Sequence, residues 1–167
     1  MTTALTGFMG SGKSTVGSIL AGMLSLPFVD LDEYIVHKTG HPIPELFEDG
    51  EEYFRAVEAE AVRDIVCMDK ITGSSSVLAL GGGTFGIKPI RNLLLDNAVC
   101  IYLKTDFQTC MSRIENMDGR PMMSENTEKL YRERLPLYET SHYFVETDGK
   151  TPEEVAEEIK NLKFLHL

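Results

Sequence analysis

The sequence predicts an α/β fold in which parallel strands alternate with helices. Three observations predict it. Short apolar runs alternate with longer segments of helical periodicity. A glycine-rich turn stands between the first apolar run and the first helical segment. The composition, 43% hydrophobic and 25% charged, is that of a folded globular chain. Strands separated by helices pair in parallel through right-handed crossovers. The 167 residues suit one domain, and no repeat, linker or low-complexity tract divides them, so residues 1–167 read as a single unit.

Thr2 to Thr6 reads as a strand ending at Gly7. From Lys13 to Leu24 the apolar residues Val16, Ile19, Leu20, Met23 and Leu24 recur at helical spacing. Pro27 to Val29 is a second strand leading into Asp30-Leu31-Asp32. Glu33 to Lys38 forms a short helix broken near Gly40 and Pro42. Asp49 to Met68 is a strong helix, with Phe54, Val57, Ala61, Ile65 and Val66 on one side. Val77 to Leu80 is a strand ended by Gly81-Gly82-Gly83. Lys88 to Leu95 is helical, with Pro89 tolerated in its first turn. Ala98 to Leu103 is a buried strand. Asp106 can cap a helix to about Glu115. Met117 to Ser124 reads as a loop, Glu125 to Leu135 as a helix, Tyr143 to Glu146 as the last strand and Pro152 to Leu165 as the last helix.

Sixteen basic against 26 acidic residues give a formal charge of −10. That balance disfavours broad binding to nucleic acid or anionic membrane, while leaving room for a local anion site. No apolar run approaches the roughly 18 residues of a membrane span, and no basic-then-apolar leader opens the chain. Cys67, Cys100 and Cys110 lack C-x-x-C spacing and read as unpaired thiols of a reducing compartment. A cytoplasmic location is therefore expected. His37, His41, His142 and His166 lack metal-ligand spacing and read as surface or loop residues. Tyr131, Tyr138 and Tyr143 read as packing groups, and Glu153, Glu154, Glu157 and Glu158 as the solvated face of the last helix.

Gly7-Phe8-Met9-Gly10-Ser11-Gly12-Lys13-Ser14 fits G-x-x-x-x-G-K-[ST] without a mismatch, between a strand and an amphipathic helix. Glycines let backbone N–H groups converge on phosphate oxygens, and the helix start adds a favourable dipole. Lys13 can reach the β- and γ-phosphates, and the Ser14 hydroxyl can ligate Mg²⁺. This pattern predicts a nucleoside triphosphate site without naming the acceptor.

Asp30 and Asp32 follow the second strand, two residues apart. Alternate residues of extended backbone share a face, so both carboxylates are placed at the ligand-binding edge of the sheet. One can support Mg²⁺ through water and the other can accept a hydroxyl proton; an N-cap plus a solvated carboxylate explains the pair equally well. Gly81-Gly82-Gly83 ends the third strand on the same edge, which suits close approach of a ligand to the backbone, or a tight loop against the glycine-rich turn. Arg55, Arg113, Arg120 and Arg134 are the cations near these segments. Composition alone makes each a solvated side chain, and Arg55 has Glu51 and Glu58 at helical spacing. Arg120, in a Gly-Arg-Pro loop, suits a lid that closes over phosphate.

Together and in this order, these residues resemble the shikimate kinase family. The matching segments are Gly7 to Thr15, Asp30-Leu31-Asp32, Phe47, Gly50-Glu51, Phe54-Arg55 with Glu58, Gly81 to Gly83, Arg120-Pro121 and Arg134 to Tyr138, spanning residues 5–145. The resemblance implies a three-layer α/β/α P-loop kinase with a central five-stranded parallel sheet and a mobile lid at about residues 112–124. It implies transfer of the ATP γ-phosphoryl group to the 3-hydroxyl of shikimate, with Mg²⁺, by a monomer, on the route to chorismate and the aromatic amino acids. By that resemblance Asp32 contacts the acceptor hydroxyls and takes the proton, and Asp30 supports Mg²⁺ beside Ser14. Arg55 and Arg134 clamp the carboxylate, and Gly81, Gly82 and Gly83 line the acceptor pocket. Gly10, Ser11, Gly12, Lys13, Ser14 and Thr15 hold the nucleotide, with Arg113 flanking it. Lys13 and Arg120 neutralise the transferring group. The chain departs from the pattern in its lid, where Glu115 and Asp118 precede Arg120 without a basic residue. Thr147 to Pro152, where the family places an adenine loop, carries no short motif. The rival readings are a kinase for gluconate or a nucleoside monophosphate, and a nucleotide-binding module without turnover.

Overall fold

A computed structural model describes residues 1–118 and 125–162. The elements run β1 (Thr2–Thr6), α1 (Lys13–Leu24), β2 (Phe28–Asp30), α2 (Leu31–Thr39), α3 (Ile43–Glu48), α4 (Glu51–Thr72), β3 (Val77–Ala79), a 3₁₀ turn (Thr84–Gly86), α5 (Lys88–Asn97), β4 (Ala98–Lys104), α6 (Phe107–Asp118), α7 (Glu125–Tyr138), β5 (Tyr143–Glu146) and α8 (Pro152–Lys160). The five strands lie in the order β2-β3-β1-β4-β5 and every pair is parallel. Leu5 is in register with Ala79 on one side and Ile101 on the other, so β1 is the central strand. The chain leaves β1 toward β2 and β3, then crosses to β4 and β5. The carboxyl end of β1 is therefore the switch point, where a sheet of this kind opens a crevice.

Helices cover both faces, which explains why β4 is buried along six consecutive residues rather than alternating with polar ones. Ala4, Leu78, Cys100 and Tyr102 face a core shared with Leu31, Phe54, Phe85 and Tyr138. Leu5, Val77, Ile101 and Leu103 face the opposite core, closed by Val16 and Leu20 of α1 and Val155 and Ile159 of α8. The N-terminus of α8 carries a reciprocal cap: Glu154 N–H donates to Thr151 Oγ1, and Thr151 N–H donates to the Glu154 carboxylate. Glu153, Glu154, Glu157 and Glu158 lie exposed, as expected.

The buried stripe of α4 includes two acids, Glu58 and Asp69, besides Phe54, Ala61, Val62, Ile65 and Val66. Asp69 accepts from the hydroxyls of Thr2 (2.8 Å), Ser76 (2.6 Å) and Ser74 (3.1 Å), tying the far end of α4 to the starts of β1 and β3. His142 is exposed, yet its Nδ1 accepts the Cys100 N–H at 3.0 Å and extends the β4–β5 ladder by one bond. Cys100 and Cys110 are buried, Cys67 is exposed, and all three are free.

Several boundaries differ from the sequence expectation. The segment after Gly40 is helical from Ile43 to Glu48; Pro44 sits in the first turn, where no intrahelical N–H is needed, so the prolines start this helix rather than exclude it. The helix α2 begins at Leu31, two residues early, because the Asp30 carboxylate caps it. The helix α4 runs on to Thr72, and α6 continues to Asp118, into the stretch read as a loop. The helix α7 extends through Pro136 to Tyr138, and α8 stops at Lys160, where Asn161 closes the last turn. Tyr138 is buried and stacks on Tyr102 at 5.3 Å, and Tyr131 packs edge-on to Phe8 at 5.2 Å. Tyr143 is instead more than a third exposed, on the edge strand β5.

Candidate active site

The turn from β1 to α1 is shaped by backbone that only glycine adopts comfortably. Gly7, Gly10 and Gly12 have φ of 148°, 77° and 94°. A Cβ on Gly10 would run into the Cys110 carbonyl of α6, whereas one on Gly12 would meet nothing nearer than Arg113 Nη1 at 3.7 Å. Gly10→Ala is therefore expected to lower the melting temperature and nucleotide affinity far more than Gly12→Ala, which carries only the cost of a left-handed backbone, about 1–2 kcal/mol. Thermal unfolding with and without ATP measures both, and equal losses would count against the α6 contact as the cause.

Lys13 opens α1 and is buried, with Nζ donating to the carbonyls of Gly7 and Phe8 at 2.9 Å each. Burial pulls its pKa down to about 8, against the attraction of Cys110, Asp32 and Asp30. The next residue, Ser14, donates its hydroxyl to Asp30 Oδ2 at 2.5 Å, while Asp30 Oδ1 accepts the Asp32 N–H at 3.0 Å. Asp30 is thus the N-cap of α2, and it is also the partner of the candidate Mg²⁺ serine, so capping does not take it away from Ser14. Asp32 does not share an extended face with Asp30. It stands in the first turn of α2, and its reach into the crevice comes from the helix start. Burial on the protein side of the crevice, then the carboxylates of Asp30 and Glu58, raise the Asp32 pKa above the usual carboxylate range, against the opposing pull of Lys13 and Arg55.

The third segment is Gly81-Gly82-Gly83, just past β3. A Cβ on Gly83 would lie 3.0 Å from both terminal nitrogens of Arg55 and 3.2 Å from Arg134 Nη2. Two guanidinium groups from α4 and α7 therefore converge on one backbone position. Arg55 lies over the rings of Phe54 (5.3 Å) and Phe47 (5.9 Å), which are themselves stacked. It pairs with Glu58 at 2.7 Å and Glu51 at 3.3 Å. Arg134 lies over the Phe8 ring at 5.8 Å. Tyr138 donates its hydroxyl to the Gly82 carbonyl at 2.6 Å, fixing the middle of the triplet.

On the other flank of the glycine-rich turn, Arg113 Nη1 donates to the carbonyls of Gly10 (3.3 Å) and Ser11 (3.2 Å). It lines a cleft with Gly12, Thr15, Thr147, Lys150 and Pro152. Thr147, Lys150 and Pro152 had no sequence signal of their own. Thr147 is placed by a 2.6 Å hydroxyl contact with Thr105. Thr84 and Tyr138 likewise reach the site by long-range contacts that no local pattern announces, whereas Glu58 pairs with Arg55 at the helical spacing read from the sequence. The structure thus brings together Lys13, Ser14, Asp30, Asp32, Arg55, Arg134 and the three glycines, with Arg113 beside the cleft. Arg120 and the lid stretch 119–124 lie outside the described residues.

The residues present suit a magnesium–nucleotide pair. The donors offered at Ser14 and Asp30 are oxygens, the type a hard cation takes. In the glycine turn the Ser11 hydroxyl is buried without a hydrogen-bond partner among the described residues, a polar group of the kind a phosphate oxygen can take up.

A family model described as shikimate kinase matches residues 9–163. The shikimate kinase of Thermus thermophilus is 41% identical over 97% of this chain and 89% of that one. That of Dictyoglomus turgidum is 40% identical over 92% and 91%. Among solved structures, the Acinetobacter baumannii shikimate kinase in complex with shikimate superposes with a TM-score of 0.85 at 34% identity, covering 99% of this chain and 93% of that one. A gluconokinase from Sinorhizobium meliloti, at 19% identity and a TM-score of 0.62, shares the fold alone. With a family model spanning nearly the whole chain and relatives about 40% identical along its length, this chain belongs to the shikimate kinase family.

Proposed function

We propose that this chain transfers the γ-phosphoryl group of ATP to the 3-hydroxyl of shikimate, with the labour divided as follows. The observation that carries the acceptor assignment is the convergence of Arg55 and Arg134 on Gly83, beside Asp32 and across from Lys13. Two planar forks at one point suit a carboxylate, which an acceptor such as shikimate bears and a simple alcohol lacks. Gluconate also carries a carboxylate; the family membership favours shikimate over it.

Asp32 accepts the proton of the 3-hydroxyl as that oxygen bonds to the γ-phosphorus. The bond from phosphorus to the β–γ bridging oxygen breaks, and ADP leaves with the electron pair. Lys13 turns from the Gly7 and Phe8 carbonyls to the β- and γ-phosphates. Ser14 and Asp30 would hold Mg²⁺, which would supply neutralisation of phosphate charge. Gly10, Ser11, Gly12 and Thr15 hold the phosphates with backbone and hydroxyl groups, and Arg113 flanks the nucleotide in the cleft that reaches Pro152. Gly81, Gly82 and Gly83 line the acceptor pocket. Arg120, placed by resemblance alone, completes the neutralisation when the 112–124 lid closes. Such a reaction asks mainly for positioning and charge stabilisation, which these groups supply. We further assign a single-domain, cytoplasmic monomer acting on small molecules; the three free cysteines suit a reducing compartment, and the monomer follows from the family resemblance.

The test is ADP release with ATP, Mg²⁺ and shikimate each omitted in turn. Release requiring all three is expected. Release independent of shikimate would overturn the acceptor assignment and send the search to gluconate and nucleoside monophosphates. A second expectation concerns protons. Free Lys13 begins to lose its proton near pH 8, and phosphate binding favours the charged form. ATP binding should therefore take up a proton at pH 8.5–9 but much less at pH 7, with affinity falling as pH rises. Titration calorimetry in two buffers of different ionisation enthalpy reads this directly. A buffer-independent enthalpy at pH 9 would remove Lys13 as the responding group.

A further inference from the structure

We propose that Thr84 is a positioning residue for the acceptor carboxylate, acting through Glu58 on Arg55; the proposal rests on the reading of Arg55 as a carboxylate clamp. Thr84 is fully buried in the 3₁₀ turn that follows the three glycines. Its hydroxyl donates to Glu58 Oε1, across 26 residues of sequence. The other carboxylate oxygen, Glu58 Oε2, accepts Arg55 Nη1 at 2.7 Å. Glu58 is 1% exposed, so both oxygens depend on protein partners.

The terminal torsion of a glutamate is broad and roughly two-fold, so an arginine bond to one oxygen leaves the carboxylate plane poorly fixed. The Thr84 hydroxyl holds the second oxygen and sets that plane. Arg55 also pairs with the exposed Glu51, 3.3 Å from its Nη2, in the same placement that brings it to Gly83. Glu58 is buried and closer, at 2.7 Å, so it is the tighter hold on the guanidinium beside Gly83 and Arg134, and Thr84 sets how Glu58 is held. The backbone of Gly81 closes the junction: a Cβ there would lie 2.9 Å from Thr84 Oγ1 and 3.3 Å from each of Glu58 Oε1 and Asp32 Oδ1. A methyl replacing the hydroxyl leaves no room for water to take over the bond.

The test is steady-state kinetics of Thr84→Val, nearly the same shape without the donor, and Thr84→Ser, which keeps it, with folding checked by thermal unfolding. Thr84→Val is expected to raise the shikimate KM about tenfold, leaving the ATP KM and saturating kcat within about twofold. Thr84→Ser should stay within about threefold of the parent. If Thr84→Val fails to fold, Thr84→Ala is expected to raise the shikimate KM in the same direction but less, because the space it opens beside Glu58 can admit a water. An unchanged shikimate KM in the donorless variant, or a parallel rise in both KM values, overturns the proposal. Arg55→Ala is measured alongside. If it raises the shikimate KM while Thr84→Val does not, the clamp stands and the Thr84 relay falls. If Arg55→Ala leaves the shikimate KM unchanged, the clamp falls and the relay with it. In the Arg55→Ala background, Thr84→Val should raise the shikimate KM no further; an additive increase would also overturn the relay.

Discussion

Arg55→Ala is expected to raise the shikimate KM about a hundredfold or more while the ATP KM moves less than about threefold. The asymmetry follows from where the guanidinium ends. Its nitrogens lie against Gly83 with those of Arg134, on the acceptor side of the crevice, and away from the Arg113 cleft. A charge-assisted, two-pronged contact with a carboxylate is strong, and alanine removes both prongs. The loss has a second component, because Glu58 is buried and Arg55 is the cation that pairs with it. The variant should therefore also melt at a lower temperature. Arg55→Lys separates the components: it can keep a charge near Glu58 but loses the planar fork, so stability should recover more than the shikimate KM. Equal rises in both KM values for Arg55→Ala would count against the clamp.

Asp32→Asn is expected to lower kcat by about 10²–10⁴-fold with the ATP KM nearly unchanged, the range associated with losing a general base. Asparagine keeps the shape and the contacts to acceptor hydroxyls but cannot take the proton. The pH dependence adds a signature. A base must be deprotonated to work, and the Asp32 pKa is raised by burial and by Asp30 and Glu58. Activity in kcat/KM for shikimate should therefore fall with decreasing pH earlier than an ordinary aspartate would allow. In kcat/KM for ATP, an alkaline decline should set in near pH 8, where Lys13 of the nucleotide-free enzyme loses its charge. A flat profile on the acid side would remove Asp32 as the base, whatever the effect of the substitution.

Much of this site was legible in the sequence because its chemistry is carried by local patterns. The Gly7 to Ser14 run specifies its own backbone, and the left-handed turns at Gly10 and Gly12 are what the pattern requires. The central strands β1, β3 and β4 were legible because β-type apolar runs buried on both faces are hard to mistake when helices separate them. The Asp30/Asp32 pair does lie at the end of β2, but not by period-two geometry: a capping bond starts a helix between them. Prolines hid α3, because Pro42 and Pro44 punctuate a helix start as readily as they break one. For Arg55 the ion pairs with Glu51 and Glu58 both form, and the side chain still reaches Gly83. Pairing and clamping were alternatives only on paper. The bonds of Thr84 to Glu58 and of Tyr138 to Gly82 span 26 and 56 residues, and no window of local sequence contains them.

The position of β1 at the centre of the sheet has a consequence for how such a protein can change. The β2–β3 flank, with α2 and α4, carries Asp32, Arg55 and the three glycines; the β4–β5 flank, with α6 and the loop before α8, carries Arg113, Thr147 and Lys150. On the roles proposed above, donor and acceptor recognition are encoded in separate stretches of chain on either side of the central strand, with Arg134 of α7 reaching across to Gly83. The halves do share one core, in which Leu31 and Phe54 lie with Tyr102 and Phe107, so an exchange of site residues must keep that packing. A scaffold divided in this way can trade one acceptor for another over evolutionary time without rebuilding its phosphoryl-donor half, and a grafted acceptor half is the natural unit for redesign.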